Sequence, residues 1–253
     1  MAQAPGNEAM PVVTTEVQGD VAIIRINRPE KLNAISQAVA VALQAAMRDF
    51  DASAQRVAVL SAAGTRAFSA GADVSDLPEL WRAIPHIGCR TDKPIIAATS
   101  GWCVGAGMVM VTMCDLAVST EDTVFHYPEG RIGFTGGMIS SLANRIPHKI
   151  AMEMMLLGRK VDARRAYEVG FINQVVPNGT HEAAALEMAR EIAAQAPLVV
   201  RSLMRLVDEM QPENPIARMA RTSEMMTEVR DSCDLREGIA AFREKRKPRF
   251  SGQ

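Results

Sequence analysis

The sequence predicts an α/β fold in which parallel strands are joined by helical crossovers. Short apolar runs are typical of strands buried in a parallel sheet, and three of them occur at 56–62, 93–101 and 114–120. Strand and helix patterns alternate over roughly the first 180 residues. The chain has 253 residues, 48% of them hydrophobic and 23% charged, so it can bury one large core and is not a disordered protein.

The N-terminal segment predicts a β-hairpin followed by a helix. Residues 12–17 and 21–27 have strand composition, and Gly19 and Asp20 between them predict the turn. Ser36 is the expected N-cap of the helix that follows. The large apolar residues of this helix recur at helical spacing, as Val39, Leu43, Met47 and Phe50.

The middle of the chain contains an uncharged stretch, residues 94–114, that is as long as a membrane span. Its glycines favour a buried strand, a turn and a buried helix beginning near Gly105 instead. Further strands are expected at 123–127 and 171–177, and further helices at about 137–158 and 163–169.

From Thr180 onward the sequence predicts helices and no strand. Thr180 is expected to cap a helix over 181–195. We therefore expect a core domain at 1–195 and a helical region at 196–253. This region is too small to form its own core, so it must pack on the α/β part or on a neighbouring subunit.

Charge and cysteine content exclude several classes of protein. The chain has 28 basic and 29 acidic residues, so no bulk attraction to nucleic acid is expected. The four cysteines form no C-x-x-C pair and no metal-binding cluster, which favours a reducing compartment and no metal. The N-terminal segment lacks the pattern of a signal peptide and is interpreted as a loose tail. We expect a cytoplasmic protein that is not attached to a membrane.

Two glycine-rich turns, at 68–73 and 101–107, each follow a predicted buried strand. Glycine lets a backbone approach a ligand closely, and a turn that opens a helix leaves N–H groups free. Two such N–H groups aimed at one point would form an oxyanion hole, whereas the alternative is two tightly packed turns. The second turn does not fit G-x-G-x-x-G and contains no nucleophilic serine, so dinucleotide binding and serine peptidase activity are not supported.

Six segments resemble, in order, the crotonase or enoyl-CoA hydratase/isomerase superfamily. They read VAIIRINRPEKLNAIS, AFSAGADVSDL, KPIIAATSGWCVGAGMVMVTMCDLAVST, FHYPEGRIG, AYEVGFINQVVP and EGIAAFREKRKPRF. The resemblance covers about residues 12–250. The resemblance implies a crotonase-like spiral of ββα units with a helical C-terminal region. It also implies an acyl-CoA thioester as substrate, with coenzyme A entering as part of that substrate, and trimers that often pair into hexamers.

The resemblance implies three catalytic groups. The N–H groups of Ala72 and Ala106 would form the oxyanion hole, and Glu129 of F-x-x-P-E would be the acid/base. Family hydratases typically have a second glutamate where this chain has Val109. One carboxylate suits the transfer of a proton from C2 to C4, which favours double-bond isomerisation of an enoyl-CoA. Hydration of a 2-enoyl-CoA stays open, as does a non-catalytic RNA- or protein-binding member of the fold.

The resemblance also implies residues near coenzyme A. Lys31 and Leu32 would lie beside the cofactor portion of the substrate, and Ala70, Asp73 and Gly105 would border it. Phe242 and Lys245 match C-terminal positions that can reach the coenzyme A of a neighbouring subunit.

Three further side chains are candidates for the site. Thr135 stands where the dihydroxynaphthoyl-CoA synthase branch has an aspartate, and it would orient substrate or water, or cap a helix. Tyr127 is a candidate second acid. His86 would titrate near the substrate, or it is simply a packed histidine.

Overall fold

The computed structural model describes residues 10–210, 219, 222 and 226–253. Most of the expected N-terminal tail, and part of the expected helical region at 196–253, lie outside these residues. Among the described residues, ten strands form two sheets, one of six strands and one of four.

The six-stranded sheet forms the centre of the protein. Its strands are β1 Val13–Gln18, β2 Val21–Ile26, β3 Val57–Ala62, β5 Ile95–Thr99, β7 Leu116–Thr120 and β10 Gln174–Val176, in the order β1-β2-β3-β5-β7-β10. Strand β1 is antiparallel to β2, as the predicted hairpin requires, and the other pairs are parallel. Every residue of β3 and β5 is buried, because helices cover both faces of the sheet.

The second sheet is built from very short strands. They are β4 Ala67–Ser69, β6 Trp102–Val104, β8 Val124–His126 and β9 Val161–Asp162. Strands β3, β5 and β7 of the large sheet are each followed by a strand of this sheet, so the chain winds as a spiral of ββα units. The predicted glycine turns therefore begin as strands, β4 and β6, and become turns only at their ends.

Ten α-helices surround the sheets in the described residues. They are α1 Gln37–Ala52, α2 Ala106–Met113, α3 Glu129–Ile132, α4 Leu142–Arg145, α5 His148–Leu157, α6 Ala163–Glu168, α7 His181–Ala193, α8 Pro197–Met210, α9 Thr227–Asp231 and α10 Cys233–Glu244. The Ser36 hydroxyl accepts a hydrogen bond from Val39 N at 3.4 Å, which confirms the predicted cap of α1. Helices α1 and α7 cover opposite faces of the large sheet, each with its own apolar cluster.

Two details of the helices differ from the prediction. The single helix expected at 137–158 is wrong, because a 3₁₀ helix at Met138–Ser141 and helix α4 precede α5. Pro147 lies at the break before α5, and proline has no N–H with which to continue a helix. Thr180 is the N-cap residue of α7, as predicted, but its hydroxyl makes no capping bond and donates to Pro177 O at 2.8 Å instead.

The uncharged stretch at 94–114 forms β5, β6 and α2, as the sequence predicts. All eight residues of α2 are buried, which explains why this helix carries no polar face. None of the helices that the structure describes is long and apolar enough to cross a membrane.

The C-terminal helix α10 packs directly on the core. A Cβ atom at Gly238 would overlap Ile132 O of α3, so the two helices touch through backbone at this glycine. Packing of the C-terminal region on the α/β part is thus observed, while a domain boundary between 195 and 196 stays a prediction.

Candidate active site

The first glycine turn, residues 70–73, is held against the segment 32–35 by backbone hydrogen bonds. Ala70 N donates to Leu32 O at 2.9 Å, and Ile35 N donates to Gly71 O at 2.8 Å. Asp73 N donates to Ile35 O at 2.9 Å. The N–H of Ala72, in the middle of the turn, has no acceptor among the described residues and is available to a ligand.

The second glycine turn opens helix α2. Gly105 has φ +52° and ψ −114°, a conformation that side chains rarely allow, and Ala106 is the first residue of the helix. First-turn N–H groups have no partner inside a helix, and the N–H of Ala106 finds no acceptor elsewhere in the described chain. This N–H lies at the positive end of the α2 dipole.

The two turns are in contact with each other. A Cβ atom at Gly71 would lie 3.2 Å from Val104 O and 3.7 Å from Ala106 N. Glycine is therefore required at 71, where φ is also +95°. The arrangement brings two unpaired backbone donors, from Ala72 and Ala106, to one cavity.

Glu129, the first residue of α3, places a buried carboxylate beside these donors. Its Oε2 atom has no hydrogen-bond partner in the part of the chain that the structure describes. A Cβ atom at Gly105 would lie only 2.5 Å from Glu129 Oε1, so the carboxylate packs directly against this glycine. Burial raises the pKa of Glu129 to about 8, because a charged carboxylate loses hydration there.

The cavity between the two turns, α3 and α10 has a volume of about 310 Å³. Among the described residues that line it, only Asp73 and Glu129 carry a carboxylate. Val109, which is buried on α2, also lines it, so the position at which the resemblance implies a second glutamate in hydratases faces the same space. The remaining lining is largely apolar, including Leu77, Leu80, Ile132, Phe134, Met138, Leu235, Ile239 and Phe242.

Asp73 differs from Glu129 in having strong partners. Its Oδ1 accepts from the Ser75 hydroxyl at 2.5 Å, and its Oδ2 lies 2.7 Å from Arg28 Nη1. These hydrogen bonds lower the pKa of Asp73 to about 2. Asp73 is therefore ionised near neutral pH and cannot supply a proton, whereas Glu129 can exchange one.

Most of the predicted site residues meet at this cavity. Its lining includes Ala70, Ala72, Asp73, Gly105, Ala106, Glu129 and Phe242. Phe242 lines the cavity of its own chain, although the sequence pointed to a neighbouring subunit.

Lys31, Leu32 and Lys245 are not among the residues that line the cavity. Leu32 lies behind the first turn, where its carbonyl accepts from Ala70 N. Lys31 ends an exposed 3₁₀ helix, and Lys245 is exposed at the end of α10. Their roles toward coenzyme A stay predictions.

Tyr127 and Thr135 form a hydroxyl pair next to Glu129. Their oxygens are 2.9 Å apart, and Thr135 Oγ1 also accepts from Gly137 N at 3.1 Å. Thr135 is thus not a helix N-cap, because the 3₁₀ helix begins at Met138 with Gly137 in the cap position. Tyr127 lines the cavity together with Glu129, and burial raises the pKa of its phenol above the usual value.

His86 lies outside this site as a packed histidine. Its Nδ1 is 3.2 Å from Thr91 O and its Nε2 is 3.2 Å from Asp115 Oδ2. Within the described residues, no group of three or more histidine, cysteine, aspartate or glutamate side chains is arranged to hold a metal ion.

Apart from Phe242, the apolar face of α10 was not identified from the sequence as part of the site. Leu235, Gly238, Ile239 and Phe242 line the cavity with spacings of three, four and seven residues from the first of them. This is the spacing of one helix face, so the signal was present in the sequence. It could not be assigned to the cavity because nothing local indicates where α10 packs.

Comparison with known proteins agrees with this geometry. Residues 16–253 match the sequence profile of the family described as enoyl-CoA hydratase/isomerase. The (E)-benzylidenesuccinyl-CoA hydratase of Thauera aromatica is 33% identical, with 95% of this chain and 99% of that protein covered. The short-chain-enoyl-CoA hydratase of Clostridium acetobutylicum is 27% identical, with 93% and 95% covered.

The crystal structure of carnitinyl-CoA hydratase from Mycobacterium avium superposes with a TM-score of 0.87. It is 32% identical, and the match covers 97% of this chain and all of that one. The fold and the cavity thus define a crotonase-fold enzyme that acts on acyl-CoA thioesters. The chain belongs to the enoyl-CoA hydratase/isomerase family.

Proposed function

We propose that this enzyme moves the double bond of an enoyl-CoA between the 3 and 2 positions, with Glu129 as its single acid/base. The observation that supports the proposal is the carboxylate content of the cavity. Glu129 leaves one buried carboxylate oxygen without a partner, and Asp73 is held by Arg28 and Ser75. Val109 stands where the resemblance to family hydratases implies a second glutamate.

The groups of the cavity suit each step of this reaction. The thioester oxygen accepts hydrogen bonds from the N–H groups of Ala72 and Ala106, which stabilise negative charge as it develops there. The Glu129 carboxylate removes a proton from C2 of a 3-enoyl thioester, and the electron pair is delocalised into an enolate. The protonated Glu129 then gives the same proton to C4, so the double bond moves to C2–C3 without gain or loss of atoms. A pKa of about 8 suits both directions of transfer near neutral pH.

Hydration of a 2-enoyl-CoA is the second candidate. It is favoured by the relatives named as hydratases and by the buried phenol of Tyr127 beside Glu129. Because its pKa is raised, Tyr127 keeps its proton and could protonate carbon while Glu129 activates water.

A mass-resolved assay with 3-hexenoyl-CoA and crotonyl-CoA tests the proposal. We expect conversion of 3-hexenoyl-CoA without change in mass, and a loss of about 10²–10⁴ in rate for Glu129→Gln. The exposed Glu187→Gln is the matched control and retains the wild-type rate. If crotonyl-CoA instead gains the mass of one water molecule, and Tyr127→Phe abolishes this reaction, the result would support hydration. No turnover of either substrate, together with salt-dependent binding of RNA, would support the non-catalytic alternative.

We also propose that copies of this chain associate into trimers or pairs of trimers. Support comes from α8, whose large apolar side chains are exposed, as in Leu198 and Met210 at 77% and 79%. A cytoplasmic location stays a prediction based on the cysteine content.

A further inference from the structure

A second cavity, of about 560 Å³, adjoins the first. Tyr127, Glu129 and Phe134 line both cavities, so these residues form the boundary between them. A molecule held by the two N–H donors in the first cavity can therefore extend past Glu129 into the second.

Most of the surface of the second cavity is apolar, although Glu129 and Asp234 also line it. Its large described side chains include Phe134, Ile139, Met155, Val229 and Phe250. Several polar groups on its wall are bonded within the chain, because the Ser232 hydroxyl donates to Val229 O at 2.8 Å and Thr135 bonds Tyr127. Such a lining suits a hydrocarbon ligand better than a charged or strongly polar one.

The residues that follow α10 close one side of this cavity. The Asp234 carboxylate accepts from Ser251 N at 2.6 Å and from Gly252 N at 2.8 Å. Glu237 accepts from Arg249 N at 2.8 Å, so residues 249–252 are fastened along the first part of α10 by two carboxylates.

This attachment brings Phe250 against the helix that carries Glu129. A Cβ atom at Gly133 would lie 3.0 Å from Phe250 Cε1, and Gly133 directly follows α3. Phe250 is still 42% exposed, so its ring can be replaced by a larger or smaller side chain without rebuilding the core.

We propose that the second cavity binds the distal part of the acyl chain and that Phe250 sets the chain length the enzyme accepts. The inference rests on the proposed function, which places C2 to C4 of the acyl chain at Glu129. Carbons beyond C4 then continue into the cavity that shares Glu129. The substrate class is accordingly an enoyl-CoA whose acyl chain extends beyond C4, with longer chains preferred.

Chain-length profiles of cavity variants test this inference. Each methylene moved from water into an apolar cavity contributes a factor of about four in affinity. We therefore expect wild-type kcat/KM to be higher for 3-dodecenoyl-CoA than for 3-hexenoyl-CoA. Phe250→Trp should lower the ratio of the two kcat/KM values at least tenfold, and Phe250→Ala should raise it. Ser251→Ala is the matched control, because both backbone bonds to Asp234 remain and the ratio should not change.

Met155→Trp, on α5, reduces the same cavity from a different element and gives an independent result if Phe250→Trp does not fold. An unchanged ratio in every folded tryptophan variant would overturn the inference while the proposed function stands. If no enoyl-CoA is converted, the proposed function fails, and calorimetric binding of dodecanoyl-CoA and hexanoyl-CoA decides the inference separately. If substitution of Phe250 changes the two dissociation constants by the same factor, the inference is overturned.

Discussion

Glu129 combines two properties that rarely occur together, namely burial and the absence of a partner for one carboxylate oxygen. A buried carboxylate that is not paired prefers to be protonated, which is the reason for its raised pKa. The same property that makes Glu129 able to exchange protons near neutral pH must reduce the stability of the fold once it ionises.

The loss of stability caused by ionisation of Glu129 can be measured through the pH dependence of unfolding. The pKa of Glu129 is raised from 4.5 to about 8, so between these values the folded chain holds a proton that the unfolded chain has lost. The free energy of unfolding contributed by Glu129 therefore decreases as pH rises from about 5 to 8, with a slope of at most about 1.4 kcal/mol per pH unit.

Chemical denaturation of wild type and Glu129→Gln at pH 5, 6, 7 and 8 checks this prediction. The variant, which cannot ionise at this position, should gain stability relative to wild type as pH rises. If the free energies of unfolding of the two proteins differ by the same amount at every pH, folding does not raise the pKa of Glu129.

Gly105 is the residue on which this carboxylate rests. Gly105→Ala would add a methyl group 2.5 Å from Glu129 Oε1 at a positive φ, so Glu129 must move or the turn must open. We expect a loss of at least about 10² in kcat/KM, since the substitution displaces both the acid/base and the Ala106 donor.

The matched control is Gly170→Ala. Gly170 also has a positive φ, +76°, but an added Cβ would meet nothing within 4 Å. It should lose about 1–2 kcal/mol of stability from backbone strain alone, less than Gly105→Ala loses, and it should keep its activity. Steady-state kinetics and thermal unfolding of both variants separate the two effects, and equal activity of the two would contradict the role given to Gly105.

At the scale of elements, helix α2 presents both a backbone donor and the Val109 side chain to the cavity. Val109→Glu would place a second carboxylate where family hydratases have one. Because one carboxylate can then activate water while the other protonates carbon, we expect the rate of crotonyl-CoA hydration to rise at least tenfold over Val109→Gln.

Val109→Gln is the matched control, since it introduces a side chain of the same size that cannot transfer a proton. Both variants should be less stable than wild type by about 1–3 kcal/mol, because a polar group replaces a buried apolar one. Equal hydration rates in the two variants would indicate that the lack of a second carboxylate is not what limits hydration in this enzyme.

Elements with strong local signals were predictable from the sequence, and elements defined by distant pairing were not. Ser36 and the apolar spacing after it identify α1, and the continuous apolar run identifies β3. The strands β4, β6 and β9 have only two or three residues each, and they exist because other strands pair with them. Nothing in the residues themselves distinguishes them from the turns that follow.

The candidate site shows the same division. Ala72, Ala106 and Glu129 lie in motifs that resemble a known family, so they could be named from the sequence. Phe250 could not, because its place beside Gly133 depends on bonds that Asp234 and Glu237 make to the backbone at residues 249–252.

At the scale of the whole molecule, helix α8 is unusual because its apolar face is exposed. A surface helix usually packs its apolar face against the core. None of its fourteen residues is buried. Val200, Met204 and Asp208 are half-buried toward the body of the protein, and Arg205 pairs with Asp92 there. The large apolar residues lie on the exposed side and include Leu198, Val199, Leu203, Leu206, Val207 and Met210.

Self-association would bury this apolar side, which leads to a test. We expect the double variant Leu203→Asp and Leu206→Asp to shift the protein toward the monomer in sedimentation velocity experiments. Burying each leucine contributes about 1.5–3 kcal/mol, so association should weaken at least tenfold. Arg201→Asp, on a different face of α8, is the control and should leave the assembly intact. A wild-type protein that sediments as a monomer would contradict the proposal.

The adjoining strands β4 and β6 have a consequence for how this architecture can diversify. They are hydrogen-bonded neighbours, and neighbouring strands in a sheet lie about 4.8 Å apart, so the turns that follow them begin side by side. The two backbone donors therefore keep their separation through substitutions in the cavity that leave Gly71 and Gly105 in place. Reaction and substrate can change independently of these two donors, so new activities can arise here by replacing a few side chains while the backbone of the two turns stays intact.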